Sequence, residues 1–146
     1  MEELLELRAY LEQQRYPEAL ALLAELEEMG REDKINKIRS FAKILLLHLI
    51  KRVVEQRTTR SWDLSIWNAV DEIVHMNRRR KAGGHYLDTP ELQAIIAEAY
   101  PAALKRAALE TCEGRFDERE LAQQVDQAML QQQALDLILA AQVGNT

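Results

Sequence analysis

The chain has 146 residues, of which 47% are hydrophobic and 29% are charged, and its formal net charge is −5. This length is sufficient for one domain with a hydrophobic core. A single cysteine, Cys112, excludes an intramolecular disulfide and a cysteine-based zinc site. Glycine and proline are scarce, and no stretch alternates β-branched with polar residues as a strand would. The composition therefore predicts an all-α protein, a compact single-domain bundle of five or six helices.

The first part of the sequence predicts a helix hairpin. Apolar spacing indicates one helix over residues 2–14 and a second over residues 17–29, separated by a turn before Pro17. Gly30 stands where a helix C-cap would. The residues expected to face inward in the second helix are Leu20, Leu23 and Ala24.

The most apolar stretch predicts a central helix over residues 32–56. Between residues 44 and 50 the apolar side chains surround His48 on every side, which is typical of a helix buried all round. This run is far shorter than the ~20 residues that a membrane span needs. We therefore expect a core helix and no membrane association.

Three more helices are predicted after the central one. Ser61 provides an N-cap for a helix that runs to about residue 80, with both tryptophans as core anchors. Thr89 caps the next helix, which extends to about residue 112 and which Pro101 should kink or split. The D-x-x-E sequence at Asp117 opens a last helix over residues 117–142, which could pair with a second copy of itself.

Charge is segregated along the chain. Residues 1–33 have ten acidic and three basic side chains, residues 34–81 have twelve basic and four acidic ones, and residues 82–146 are acidic again. One explanation is that basic central helices pack between acidic outer ones and pair with them across the helix rims. The other is a basic surface for an anionic partner. Its candidate residues are Arg52, Arg57, Arg78, Arg79, Arg80 and Lys81.

His48 is the best single candidate for a catalytic or ligand-binding residue. A histidine facing carboxylates of a neighbouring helix can bind a metal ion or act as acid and base. The candidate site comprises His48, Glu18, Glu25, Lys51, Arg60 and Trp62. The alternative is a hydrogen-bonded core histidine. No second histidine stands at metal-binding spacing, so no metal or cofactor is expected.

Three motifs in fixed order carry a family resemblance. They are the Arg15-Tyr16 turn with Gly30, the sequence L-L-L-H-L-I-K at residues 45–51, and R-S-W at residues 60–62. They resemble a bacterial family called domain of unknown function twenty-nine, over residues 14–112. The resemblance implies a compact helical domain and no particular activity. Residues 117–142 diverge from the family pattern.

Three functions remain open at this stage. The first is a small cytoplasmic protein-interaction or regulatory module that self-associates or binds another protein; its N-terminus lacks the features of a signal peptide. The second is binding of nucleic acid or another anionic ligand through residues 34–81. The third is an enzyme or metal site centred on His48 with Glu25 or Glu18.

Overall fold

The computed structural model describes residues 2–79 and 83–144. Within these ranges there are six α-helices, one 3₁₀ turn and no strand beyond an isolated antiparallel bridge between Arg78 and His85. The elements are α1 (Glu2–Glu12), α2 (Tyr16–Glu55), α3 (Arg60–Asn77), α4 (Thr89–Glu110), the 3₁₀ turn (Cys112–Gly114), α5 (Glu118–Ala122) and α6 (Gln127–Gly144). The prediction of an all-α fold is confirmed.

The chain divides into two compact units, and the division falls inside α2. The N-terminal unit, Met1–Ile35, contains α1 and the first part of α2. The main unit, Asn36–Thr146, contains the rest of α2 and the helices that follow it.

A left-handed residue at Gln14 ends α1 in place of a glycine. Its φ angle is 57°. The Arg15 N–H donates to the Tyr10 carbonyl at 2.8 Å, and the Gln14 N–H donates to the Leu11 carbonyl at 3.1 Å. This pair of bonds is the Schellman arrangement, which satisfies carbonyls at the end of a helix. The connection to α2 is consequently only three residues long.

Gly30 lies inside α2, so the prediction that it ends a helix is wrong. The helices expected over residues 17–29 and 32–56 form one helix of 40 residues. An isolated glycine costs a helix only about 1 kcal/mol relative to alanine. No proline follows closely, and the backbone of Gly30 is not left-handed, so nothing local stops the helix.

The core of the main unit surrounds the α2 segment that the sequence predicted to be buried on all sides. Five apolar side chains there are at most 1% exposed, whereas Ile44 and His48 are half-buried. Helix α6 packs against both α3 and α4. The large buried side chains from the other elements include Ile73, Leu87, Leu92, Ile96, Leu121, Leu130 and Ile138.

Two helices begin earlier than the sequence predicted. The N-cap of α3 is Thr59, not Ser61, because the Thr59 hydroxyl accepts from the Trp62 N–H at 3.0 Å. The N-cap of α4 is Asp88, not Thr89. The Asp88 carboxylate accepts from the Glu91 N–H at 2.9 Å, and the Glu91 carboxylate accepts from the Asp88 N–H at 3.1 Å. This reciprocal capping box satisfies two backbone donors, whereas a hydroxyl cap satisfies one.

The C-terminal half departs from prediction at two places. Helix α4 runs unbroken through Pro101, so the expectation that proline splits it is wrong. The single helix expected over residues 117–142 is also wrong, because α5 and α6 are separate. The Asp126 carboxylate accepts from the Met129 N–H at 3.1 Å, which is the bond of an N-cap and starts a new helix. The capping box at Asp117 is confirmed.

A buried polar network fixes the segment between α3 and α4. Asn77, the last residue of α3, is fully buried. Its side-chain oxygen accepts from the Leu87 N–H at 2.9 Å. Its side-chain nitrogen donates to the Leu87 carbonyl at 3.2 Å and to Gln142 Oε1 at 2.8 Å. One amide side chain therefore links α3, the segment before α4, and α6.

Candidate functional site

His48 lies in α2, where its Nδ1 atom is 2.8 Å from the Ile44 carbonyl oxygen of the preceding turn. Because a carbonyl only accepts, this contact requires the proton to be on Nδ1. The glutamates expected to face His48 are not on a neighbouring helix, since Glu18 and Glu25 belong to α2 itself. The premise of a His48–glutamate site is therefore wrong. Glu18 is paired instead with Arg15 at 3.4 Å.

Lys51 and Trp62, two other candidates, belong to an ion-pair cluster in the main unit. The Lys51 ammonium donates to the Glu110 carboxylate at 2.9 Å and lies 5.3 Å from the centre of the Trp62 ring. Arg106 donates to the other oxygen of Glu110. Burial raises the pKa of Glu110, but the hydrogen bonds from Lys51 and Arg106 outweigh it, so its pKa is below the ordinary value.

This cluster has the character of a structural clamp. The Lys51 side chain is only 11% exposed, and its charge is met by Glu110. This pairing offsets part of the cost of removing the Lys51 charge from water, while solvent still reaches the Glu110 side of the pair. Trp62 is half-buried beside it, and the Arg57 guanidinium lies 4.6 Å from its ring centre. Trp67 is exposed, so its interpretation as a core anchor is wrong.

Two of the cations proposed for anion binding, Arg52 and Arg57, form ion pairs within the protein. Arg52 lies 3.8 Å from Asp63, and Arg57 lies 2.8 Å from Glu55. Arg39 pairs with Glu98 at 2.8 Å. The pairs of Arg39 with Glu98 and of Lys51 with Glu110 join the basic segment to the acidic C-terminal segment, and these two support the first explanation of the charge segregation.

The remaining basic candidates lie elsewhere. Arg78 and Arg79 follow α3, and the Arg79 guanidinium lies 5.9 Å from the centre of the Tyr86 ring. Arg60 is exposed in the first turn of α3. Arg80 and Lys81 lie outside the described residues. Among the described residues, Arg52 and Arg57 are therefore paired with carboxylates, and Arg60 and Arg78 lie at opposite ends of α3.

An open cleft of about 650 Å³ lies beside Cys112 in the main unit. Its lining residues are Val54, Glu55, Arg57, Glu110, Cys112, Glu113 and Arg115. Cys112 and Glu113 are consecutive non-glycine residues with positive φ angles of 49° and 56°. The Glu55 carboxylate pairs with Arg57 and accepts from the Cys112 N–H at 3.4 Å. Because three carboxylates and two guanidinium groups line the cleft together, its lining does not strongly favour one sign of charge in a ligand.

Across residues 2–79 and 83–144, no three His, Cys, Asp or Glu side chains converge as a metal site would require. None of the helices in those ranges has the length and apolar character needed to cross a membrane.

The N-terminal unit exposes apolar side chains that the sequence analysis assigned to the core. Helix α1 has no buried residue, and in the first part of α2 the buried apolar side chains are Ala19 and Leu22. The prediction that three residues of the second helix face inward is wrong, because all three are exposed: Leu20, Leu23 and Ala24. The exposed large apolar side chains of this unit, here called the N-terminal apolar surface, are Leu4, Leu5, Leu11, Tyr16, Leu20, Leu23 and Met29.

This surface is unusual within the molecule. It holds seven of the fourteen large apolar side chains that are exposed among the described residues, although the N-terminal unit is less than a quarter of the chain. Each leucine left in water forgoes about 1.5–3 kcal/mol of burial free energy. Scattered exposed apolar residues are ordinary, but a concentration of them marks an interaction site. The N-terminal apolar surface is therefore the candidate functional site.

The sequence analysis identified the apolar helix faces of this surface, but it predicted that they are buried, whereas they are exposed. The spacing that places Leu20 and Leu23 on one helix face says only that the face is apolar. A signal was present, because the residues after Gly30 continue a helix and offer no turn chemistry. That continuity removes the helix end that was predicted at Gly30.

The structure defines an all-α protein with an exposed apolar surface on its N-terminal unit. The family model described as domain of unknown function DUF29 matches residues 9–136. The chain belongs to this family, and the match extends further in both directions than residues 14–112, reaching into α6. No curated protein and no solved structure matches the chain.

Proposed function

We propose that this protein is a protein-interaction module and that its N-terminal apolar surface is the docking site. The observation that carries the proposal is the concentration of exposed leucines on a unit whose first helix buries no residue. A partner that covered these side chains would recover burial free energy that the chain alone forgoes.

The alternatives based on charge and catalysis have less support. An anion site would need unpaired cations that converge, whereas Arg52 and Arg57 are paired with carboxylates. A catalytic site at His48 would need a facing acid or base, and its proposed glutamates share its own helix. A protein-interaction site requires neither converging unpaired cations nor a catalytic acid or base.

Site-specific photo-crosslinking in the native host tests the proposal. A benzophenone amino acid replaces Leu20, and in a matched control it replaces Leu109 of the main unit. These positions are 66% and 75% exposed, so the probe reaches solvent equally well at both. We expect discrete crosslinked species from position 20 and not from position 109. Two differently tagged copies show whether the captured protein is a second copy.

Two results would contradict the proposal. One is an absence of crosslinks at position 20 and at a second position of the surface, such as Leu4. The other is the same set of crosslinked species from position 109, since that would indicate capture by accessibility alone.

A further inference from the structure

We propose that the N-terminal apolar surface binds a basic amphipathic helix of another protein. In this complex the apolar face of the partner helix covers the exposed leucines, and its lysines and arginines lie against the carboxylates of the N-terminal unit. The inference rests on the proposed function and adds the chemistry of the partner.

The spacing of the exposed side chains on α2 matches recognition by a helix. Tyr16, Leu20 and Leu23 are separated by four and three residues, so they lie on one line along the helix. Partners recognised through such a line are commonly amphipathic helices with their own anchors at the same spacing. Glu27, four residues after Leu23, continues the line with a carboxylate, and Arg31 follows it on the same line four residues later.

The charge of the N-terminal unit selects a basic partner. Residues 1–35 have ten acidic and four basic side chains, a formal net charge of −6. Two of those cations are already paired, Arg8 with Glu12 at 2.9 Å and Arg15 with Glu18 at 3.4 Å. The carboxylates that have no ion pair with any described residue include Glu25, Glu27, Glu28 and Glu32. The surface is therefore both apolar and strongly acidic.

The same charge disfavours the other occupants. A second copy in a twofold contact would place this patch against itself, and with it two sets of like charges. Nucleic acid and anionic membranes would be repelled by the unpaired glutamates. A lysine-rich helix, in contrast, gains both apolar burial and charge neutralisation.

Two synthetic helical peptides test the inference on the full-length protein. Both peptides have the same leucine face over roughly five turns. One has lysine at the remaining positions and the other has glutamate. Fluorescence anisotropy measures their affinity at low and high salt. We expect the lysine peptide to bind at least about tenfold more tightly than the glutamate peptide, and to weaken several-fold at high salt.

Variants assign the binding to the surface. The double change Leu20→Ser and Leu23→Ser should abolish binding of the lysine peptide, whereas the control Leu109→Ser should leave its affinity unchanged. The double change Glu27→Gln and Glu28→Gln should weaken binding several-fold and reduce its salt dependence. All these positions are exposed, so circular dichroism should show folded variants.

Three results would overturn the inference. Equal binding of both peptides would show that charge does not select the partner. Binding that survives the Leu20 and Leu23 changes would place the peptide elsewhere. A dimer of the full chain that those changes dissociate would make a second copy the occupant. The third result leaves the proposed function intact, whereas a failed crosslink at position 20 contradicts both.

Discussion

Replacement of Asn77 by alanine removes three buried hydrogen bonds at the point where α3, α6 and the segment before α4 meet. The wild-type amide bonds to both backbone groups of Leu87 and to the side-chain oxygen of Gln142. Asn77 is fully buried and Leu87 nearly so, at 0% and 2% exposed, and Gln142 is also buried. Alanine leaves the Leu87 N–H, the Leu87 carbonyl and Gln142 Oε1 without these partners.

The expected loss follows from those three groups. Each buried polar group without a partner costs about 1–3 kcal/mol, and a water molecule in the vacated space recovers part of it. We therefore expect Asn77→Ala to lower the free energy of unfolding by roughly 3 kcal/mol and Tm by about 10 °C. Urea denaturation followed by circular dichroism measures the first quantity. Asn68→Ala is the matched control, because Asn68 lies on the same helix but is exposed.

The difference in the free energy of unfolding between the two alanine variants tests whether the Asn77 hydrogen bonds stabilise the fold. Both changes replace asparagine by alanine on α3, and a helix-propensity gain is at most about 0.7 kcal/mol, so a larger difference between the variants reports the network. Equal stability of the two variants would refute the reasoning, because it would mean that the three bonds contribute nothing net.

Asn77→Asp gives an independent, pH-dependent test. A carboxylate at this position would be buried and would face the Leu87 carbonyl, an acceptor that cannot satisfy it. Burial should therefore raise its folded pKa above the unfolded value. A raised pKa means that stability is greatest below the unfolded pKa and is lost as pH rises through the folded pKa. The deficit of this variant relative to wild type should accordingly grow from acid to neutral pH, and a deficit independent of pH would count against a buried carboxylate.

Three further changes test other parts of the fold. Gly30→Ala should raise the free energy of unfolding by up to about 1 kcal/mol, because Gly30 lies inside a helix with open space at its Cβ position; a loss would indicate a helix end there. Tyr100→Phe should raise it by about 1 kcal/mol, because the buried hydroxyl has no hydrogen-bond partner among the described residues; a clear loss in thermal denaturation would reveal a bound partner. Glu110→Gln should cost about 1 kcal/mol at neutral pH, since solvent screens this partly exposed pair with Lys51. Because the folded pKa of Glu110 is depressed, this cost should disappear as pH falls through it, and urea titrations across acid pH would contradict the assignment if the cost persisted.

The sequence by itself determined the helical class and most of the core of the main unit. The spacing of apolar residues in α2 and α4 identified side chains that are buried, since a helix face is set by local geometry alone. The capping box at Asp117 was also readable, because both of its partners lie within four residues. Caps were misplaced by one or two positions where neighbouring residues, Thr59 and Ser61 or Asp88 and Thr89, offer competing oxygens.

Only the tertiary structure decided which apolar faces are covered. Leu20 and Ala19 are adjacent in one helix, yet the first is exposed and the second is buried. Periodicity identifies an apolar face, but its burial depends on an element that arrives from elsewhere in the chain. The role of Asn77 was equally hidden, because its partner Gln142 is 65 residues away. The exposure of Leu20 and Leu23 was hidden in the same way, since a helix face shows the same spacing whether or not another element covers it.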